Sequence, residues 1–388
     1  MINKIANKVL YECFCLFSYL CAKYLAVMLK PRQGNKGTRK KILALPYYGK
    51  GRSGAQERIA DWQPFFEERG IEYYVHWSYE NKFYEENLML TTNSFKQYKF
   101  YFKVLLDRVR VALTFHQYDS IWIQRGFMPL FPYKNGLFEK QLKKHGNVIY
   151  DFYDADYESN YDLVVDTIKS GDKITVASEF LENFCKQFNP NVFYVPFSFK
   201  YNNYPVKEYG NLDEITIGWM GSIDNFRYVK DIAPQLVEIE KKFPQVKFVF
   251  VCREKADLGL KRLTYHSFAD SDFDFFKHLS EFDIGINPLV KYHDRTKAKV
   301  SFKCLEYMSL GIALATSPFG IPKGLKHNEN CVVADRLEDW DEKLSALIAN
   351  KVEIKRLGAE ARKLVEENFD YAKNIDGLIK ALNKSIYQ

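Results

Sequence analysis

The strongest constraint on this chain is an alternation that occurs twice: short β-rich runs separated by longer helical ones, the pattern of parallel sheets covered by helices. The first series is "KILALP", "IEYYVHW", "DSIWIQ", "NVIYDF", "KITVAS" and "VFYVP". Helices are expected between them, notably Ala55 to Arg69 and Glu179 to Phe188. A polar, aromatic stretch from Ser198 to Glu214 interrupts the rhythm and reads as a linker. The second series follows as "ITIGWM", "VKFVFVC", "DIGINPL", "IALATS" and "CVVA". A chain of 388 residues is too long for one core of ordinary size, so the fold class is α/β, with two doubly wound domains. Such sheets bind ligands at the C-terminal ends of their strands, and two facing domains would share a cleft there. No repeat of 20 to 50 residues and no low-complexity tract intervenes.

Charge is unevenly spread. The net charge is +7, yet residues 1–41 carry nine Lys and Arg against Glu12 alone, which leaves the rest of the chain at −1. A neutral body behind a basic leader argues against nucleic acid as a partner and for an anionic surface at the N-terminus. From Val9 to Leu29 runs "VLYECFCLFSYLCAKYLAVML", long enough to span a bilayer. Lys4, Lys8, Glu12, Lys23 and Lys30 fall within about 100° of a helical wheel. That clustering favours an amphipathic helix in the membrane interface over a single span, with an ordinary core helix as the plain alternative. In either membrane arrangement the basic run from Lys30 to Lys41 holds the body at the cytoplasmic face of the cell membrane. Seven scattered cysteines without a Cys-x-x-Cys pair read as buried thiols of a reducing compartment. The seven histidines lack ligand spacing.

Four motifs can carry chemistry, and each has a plainer reading. "GKGRSG", Gly49 to Gly54, fits G-x-G-x-x-G after a strand; Gly51 and Gly54 would let backbone N–H groups approach an anion, with Arg52 reaching a phosphate or an acceptor. A glycine turn without a ligand explains it equally well, and the second strand lacks a clean acidic end for NAD. "YDFYDADY" places Asp151, Asp154 and Asp156 beyond a strand, able to orient an acceptor hydroxyl or simply to cap a helix. Asp154-Ala155-Asp156 also reads as a D-x-D metal motif. "IGWMGSIDNFRYVKDI" is strand, turn and helix, in which Gly221 and Ser222 admit a diphosphate and Arg227 and Lys230 supply charge. "KAKVSFKCLEYMSLG", Lys297 to Gly311, is expected as one helix burying Val300, Cys304, Leu305 and Met308 while Lys299, Lys303 and Glu306 form a polar ridge. Lysines there can neutralise a diphosphate, and a carboxylate can accept hydrogen bonds from ribose hydroxyls; the plain reading is a solvated face.

"GWMGS", "FDIGINPLVKYHDRTKAKVSFKCLEYMSLGIALATSPFGIP" and "RLGAEARKLVEENF" together resemble retaining glycosyltransferases of the GT-B fold, the glycosyl transferase group 1 or family 4 type. The resemblance covers roughly Ile215 to Tyr371, with "YDSIWIQRG", "VIYDFYDADY" and "VASEFLENF" agreeing more loosely. It implies two facing Rossmann-like domains: a leader over 1–40, an acceptor domain over 41–200, a nucleotide-sugar domain over 201–370, and a helix over 371–388 crossing back to the first. It implies donor contacts at Gly221, Ser222, Lys299, Lys303 and Glu306, to which the motif reading adds Arg227, and a catalytic polar group at Asp151 or Asp154. The earlier carboxylate that many members carry eight positions before Glu306 is Ala298 here, and Ser222 stands where an arginine is common.

The function expected on these grounds is transfer of a sugar from a nucleoside diphosphate to a lipid-linked or saccharide acceptor, with retention, in surface glycan or polysaccharide synthesis. No cofactor or metal is required; a divalent ion enters only through an alternative transferase using Asp154 and Asp156. A non-catalytic GT-B-like partner protein is the other alternative.

Overall fold

The computed structural model describes residues 2–31, 39–52, 54–253, 255–289 and 293–383, for residues 2–5 the backbone alone. The chain divides into two compact units, one running to Ser198 and resuming at Asn374, the other Phe199–Lys373.

The first unit is built on a parallel sheet of β1 (Lys41–Leu45), β2 (Glu72–Val75), β3 (Ser120–Gln124), β4 (Val148–Phe152), β5 (Lys173–Val176) and β6 (Val192–Tyr194), in the order β2-β1-β3-β4-β5-β6. Every residue of β3, β4 and β5 is buried, as expected for strands covered on both faces. The chain passes from β1 to β2 on one side and returns to β3 on the other, which makes the C-terminal ends of β1 and β3 the switch point where doubly wound sheets hold ligands. The helix expected over Ala55 to Arg69 is shorter: a turn leads to a 3-10 turn at Ala60–Trp62 and a helix only at Gln63–Glu68. Pro64 lacks an N–H and sits in the first turn of that helix, which sets its start.

The N-terminal helix Ile2–Met28 packs on this unit along one seam. Phe14, Ser18, Cys21, Ala22 and Leu25 are buried, a spacing that repeats once per turn. The Phe14 ring lies 5.0 Å from Phe102 and 4.5 Å from Phe131, and Tyr133 Oη donates to Ser18 Oγ at 2.6 Å. Val9, Leu16, Leu20, Tyr24 and Val27 point away from that seam and remain exposed. By length and composition the segment Ala6–Met28 is apolar enough to cross a membrane. Most of the basic run from Lys30 to Lys41 lies outside the described residues.

The second unit repeats the architecture with β7 (Ile215–Met220), β8 (Val246–Val251), β9 (Leu263–His266), β10 (Ile284–Asn287), β11 (Ala313–Thr316) and β12 (Val332–Val333), in the order β12-β11-β10-β7-β8-β9. Edge strand β9 is only half-buried, so it carries no clear apolar run in the sequence. Ile215, Ile217, Trp219, Phe248, Phe250, Ile284 and Ile286 form the centre of the core with Trp340, Leu344 and Leu357 from the covering helices. Gly218 in β7 has no substitute, because a Cβ there would meet the Phe282 ring at 1.9 Å. The switch point here falls between β7 and β10. The stretch read as a linker is an ordered strap of this unit: Tyr209 Oη donates to Gly311 O at 3.0 Å and accepts from Ala313 N at 3.0 Å, and Lys207 Nζ pairs with Asp283 at 3.1 Å.

Candidate active site

In the second unit the residues expected to bind a donor gather at the β7–β10 switch point. Gly221 follows β7, and a Cβ on it would meet the Trp219 indole at 2.6 Å, so only glycine lets the chain turn there. Ser222 then caps the helix Ile223–Asp231 from an extended conformation, its Oγ accepting from Asn225 Nδ2 at 3.0 Å. Arg227 lies exposed on the next turn, its guanidinium over the Tyr228 ring at 4.9 Å.

The segment Lys297 to Gly311 is two helices, Asp294–Ala298 and Phe302–Leu310, instead of the single one expected. Lys299 has an extended ψ of 146°. The break has a tertiary cause: Ser301 N donates to Gly320 O at 2.9 Å, and Ser301 Oγ donates to Asn287 Oδ1 at 3.1 Å. Asn287 Nδ2 in turn donates to Thr316 Oγ1 at 3.0 Å, tying the break to the ends of β10 and β11. Lys299 therefore sits ahead of the second helix and does not share a ridge with Lys303. The break also creates a new helix N-terminus, whose dipole favours an anion. Gly311 ends that helix in the left-handed conformation, φ 73°, as a C′ glycine should.

Lys303 is the distinctive group. Its ammonium lies over the Trp219 ring at 5.1 Å. Burial, with repulsion from the Lys299 ammonium, pushes its pKa down to about 8, against weaker opposing effects from Cys304 and Glu306. Two cations near a helix N-terminus, one of them poorly solvated, form a site short of negative charge. Glu306, one turn after Lys303, is half-buried beside them. Ala298 is wholly buried.

The first unit corrects two expectations. Asp151 is wholly buried and offers no face to a substrate. Its carboxylate accepts from Arg58 Nη2 at 2.7 Å, from Arg58 Nε at 3.1 Å and from Thr175 Oγ1 at 2.6 Å. Arg58 also donates to the carbonyls of Val195 and Pro196. This is a structural ion pair that anchors the turn after β1 to β4 and β6. The phosphate cradle expected at Gly51, Arg52 and Gly54 is also not assembled. Gly51 N donates to Gln56 Oε1 at 3.2 Å, Gly54 N to Glu57 Oε2 at 2.8 Å, and Arg52 N to Gly49 O at 3.2 Å. The Arg52 side chain is paired with Glu85 at 2.6 Å. The glycines serve the turn, with φ of 80° and 81°.

Asp154 is partly exposed and is brought to Arg125, a residue that the motifs alone did not single out. Arg125 follows β3 directly with φ 64°, its guanidinium hydrogen-bonded to Asp154, 3.2 Å from Asp156, and 4.4 Å from the Tyr153 ring centre. Tyr47 and Tyr48 complete an aromatic collar around it at 5.1 and 5.6 Å. The two carboxylates of the D-x-D reading are thus held by one guanidinium. The sequence signal was Arg-Gly directly after a buried strand, at the β1–β3 switch point.

A family described as glycosyl transferase-like matches residues 234–380. No curated protein sequence matches the chain. Among solved structures it is similar to Anabaena HepE in complex with UDP and glucose, at 12% identity and TM-score 0.59 over 89% of this chain and 99% of that one. It is similar to sucrose-phosphate synthase from Thermosynechococcus elongatus, at 13% identity and TM-score 0.57 over 89% and 99%. It is also similar to TarM, at 13% identity and TM-score 0.52 over 71% of this chain, which spans 58% of TarM. The chain therefore has the GT-B α/β fold, two Rossmann-like units, with a glycosyl transferase-like match across most of the second.

Proposed function

We propose that this protein is a glycosyltransferase that takes a sugar from a nucleoside diphosphate and passes it, with retention of configuration, to a lipid-linked or saccharide acceptor in surface glycan synthesis. The observation that carries the reading is Lys303, a poorly solvated ammonium beside Lys299 at the N-terminus of the helix Phe302–Leu310. UDP is the favoured nucleotide because HepE, of the same fold, binds UDP and UDP-glucose. Lys303, Lys299 and the helix N-terminus stabilise the leaving diphosphate, Glu306 accepts hydrogen bonds from the ribose, and Gly221 and Ser222 admit the phosphates to backbone. On the acceptor side, Asp154 held by Arg125 is the polar group that meets the incoming hydroxyl. These cations make a divalent ion dispensable. The buried Ala298 favours one alternative, a GT-B-like partner protein without donor chemistry.

The test is thermal stabilisation by UDP, GDP, ADP, CDP and NAD in EDTA. UDP should raise the melting temperature as mass action requires, and Glu306→Ala should weaken that affinity by about 10- to 100-fold through loss of charge-assisted hydrogen bonds. A response to none of the five would move the reading to the partner protein.

We further propose peripheral attachment to the cytoplasmic face of the cell membrane. The Phe14 seam is spent on packing, while Leu16, Leu20 and Val27 face outward beside the basic leader. The chain should co-sediment with vesicles containing phosphatidylglycerol, less so in high salt, and Leu20→Asp with Val27→Asp should release it. Equal binding to neutral vesicles would remove the anionic surface from this reading.

A further inference from the structure

We propose that His266, His278 and Glu281 form a binding site for a divalent transition metal of the zinc class on the edge of the second sheet. His266 is the last residue of β9, held in register by Cys252 N, which donates to His266 O at 2.9 Å. His278 lies on the helix Phe275–Ser280, and Glu281 follows that helix directly. In sequence the two histidines are twelve residues apart and suggest no ligand pair. The fold stacks their rings with centroids 3.8 Å apart and 24° between planes.

The three donor atoms converge. Glu281 Oε1 lies 3.0 Å from His278 Nδ1 and 3.7 Å from His266 Nε2, and all three donors fall within 4.8 Å of one another. Zinc bonds of about 2.0–2.2 Å at tetrahedral angles put neighbouring donors about 3.3 Å apart, a spacing that lies between the 3.0 and 3.7 Å separations from Glu281. His266 Nε2 is buried and makes no hydrogen bond; at 3.7 Å the carboxylate is too far to satisfy it, whereas a metal between them would. The second group, His278 Nδ1, exchanges its hydrogen bond with Glu281 for a bond to the ion, and because an imidazole lone pair lies in the ring plane its ring must turn out of the stack with His266 to do so. The Phe273 ring lies 5.2 Å from His278 and shields that side. The side chains keep exposures of 24%, 13% and 37%, which leaves a fourth position for water. Two imidazoles and one carboxylate select zinc, cobalt or nickel over magnesium or calcium, which require more oxygen ligands. Bound there, the ion clamps a half-buried edge strand to the helix that follows it. No sugar-transfer step runs through it, and the inference stands independently of the donor site.

The experiment uses the full chain, stripped with EDTA, dialysed, and titrated with cobalt(II) and then zinc(II). One cobalt per chain with the absorption of a tetrahedral N/O site is expected, displaced by zinc and unaffected by excess magnesium. His266→Ala and His278→Ala should each weaken zinc binding by at least about tenfold, with the circular dichroism spectrum and the metal-free melting temperature retained as evidence of folding. In the unmutated chain, zinc should protect His266 and His278 from diethyl pyrocarbonate while the exposed His293 and His327 still react. Absence of stoichiometric binding, or binding that survives the paired histidine substitutions, would overturn the site.

Discussion

Replacing Asp151 by alanine is expected to destabilise the first unit by about 3–5 kcal/mol, because it leaves a buried guanidinium without its counter-charge. Arg58 and Asp151 are both fully buried, and their bidentate contact is joined by Thr175, which in turn accepts from Trp122 Nε1 at 3.0 Å. Asp151→Asn keeps the shape but not the charge and should fall in the same direction. The paired change Arg58→Met with Asp151→Leu should recover much of the loss, since apolar replacement of a buried pair is often near neutral. Urea unfolding of the whole chain, followed by hydrogen exchange on β4, reads the effect in the right unit. If Asp151→Ala instead unfolds like the parent and loses turnover alone, Asp151 returns to the catalytic role that its place after a strand first implied.

The second large effect belongs to Lys303. Lys303→Ala should weaken nucleoside diphosphate binding by about 100-fold, the usual scale for removing one partner of a desolvated charge pair. The pH dependence has a definite sign. In the free protein Lys303 releases its proton at about pH 8, driven by burial and by Lys299 and opposed by Cys304 and Glu306. A bound diphosphate favours the ammonium and raises that pKa, so the complex holds more protons than the free protein and affinity falls as pH rises. Calorimetry should show UDP binding about tenfold weaker at pH 9 than at pH 7, and Lys303→Met should remove the slope. A flat profile in the unmutated chain would mean that Lys303 does not meet the diphosphate.

Much of the architecture was legible because apolar runs such as "SIWIQ" and "ITIGWM" are buried on both faces, and that burial leaves a continuous signature. Edge strand β9 escaped notice because it is half-covered and its "LTYH" has no such run. Local helix signals misled where the competing interaction was distant. Nothing between Lys297 and Gly311 is a helix breaker, yet Gly320 O and Asn287 capture Ser301 and open the chain at Lys299. Charge patterns were ambiguous for a related reason. Asp151 and Asp154 look alike in "YDFYDADY", but the first lies within β4, which is covered on both faces, and pairs with Arg58 in the core, whereas the second lies past the end of that strand at the rim with Arg125.

What the sequence determined by itself was therefore the two α/β units, their strands apart from β9, and the residue types at the C-terminal end of the second sheet, because these rest on periodicity and local turn chemistry. Only the tertiary structure decided which charges pair, where the donor-site helix begins, that the N-terminal helix is half seated and half exposed, and that His266 meets His278 and Glu281. Those outcomes depend on contacts between residues far apart in the chain, and periodicity carries no information about them.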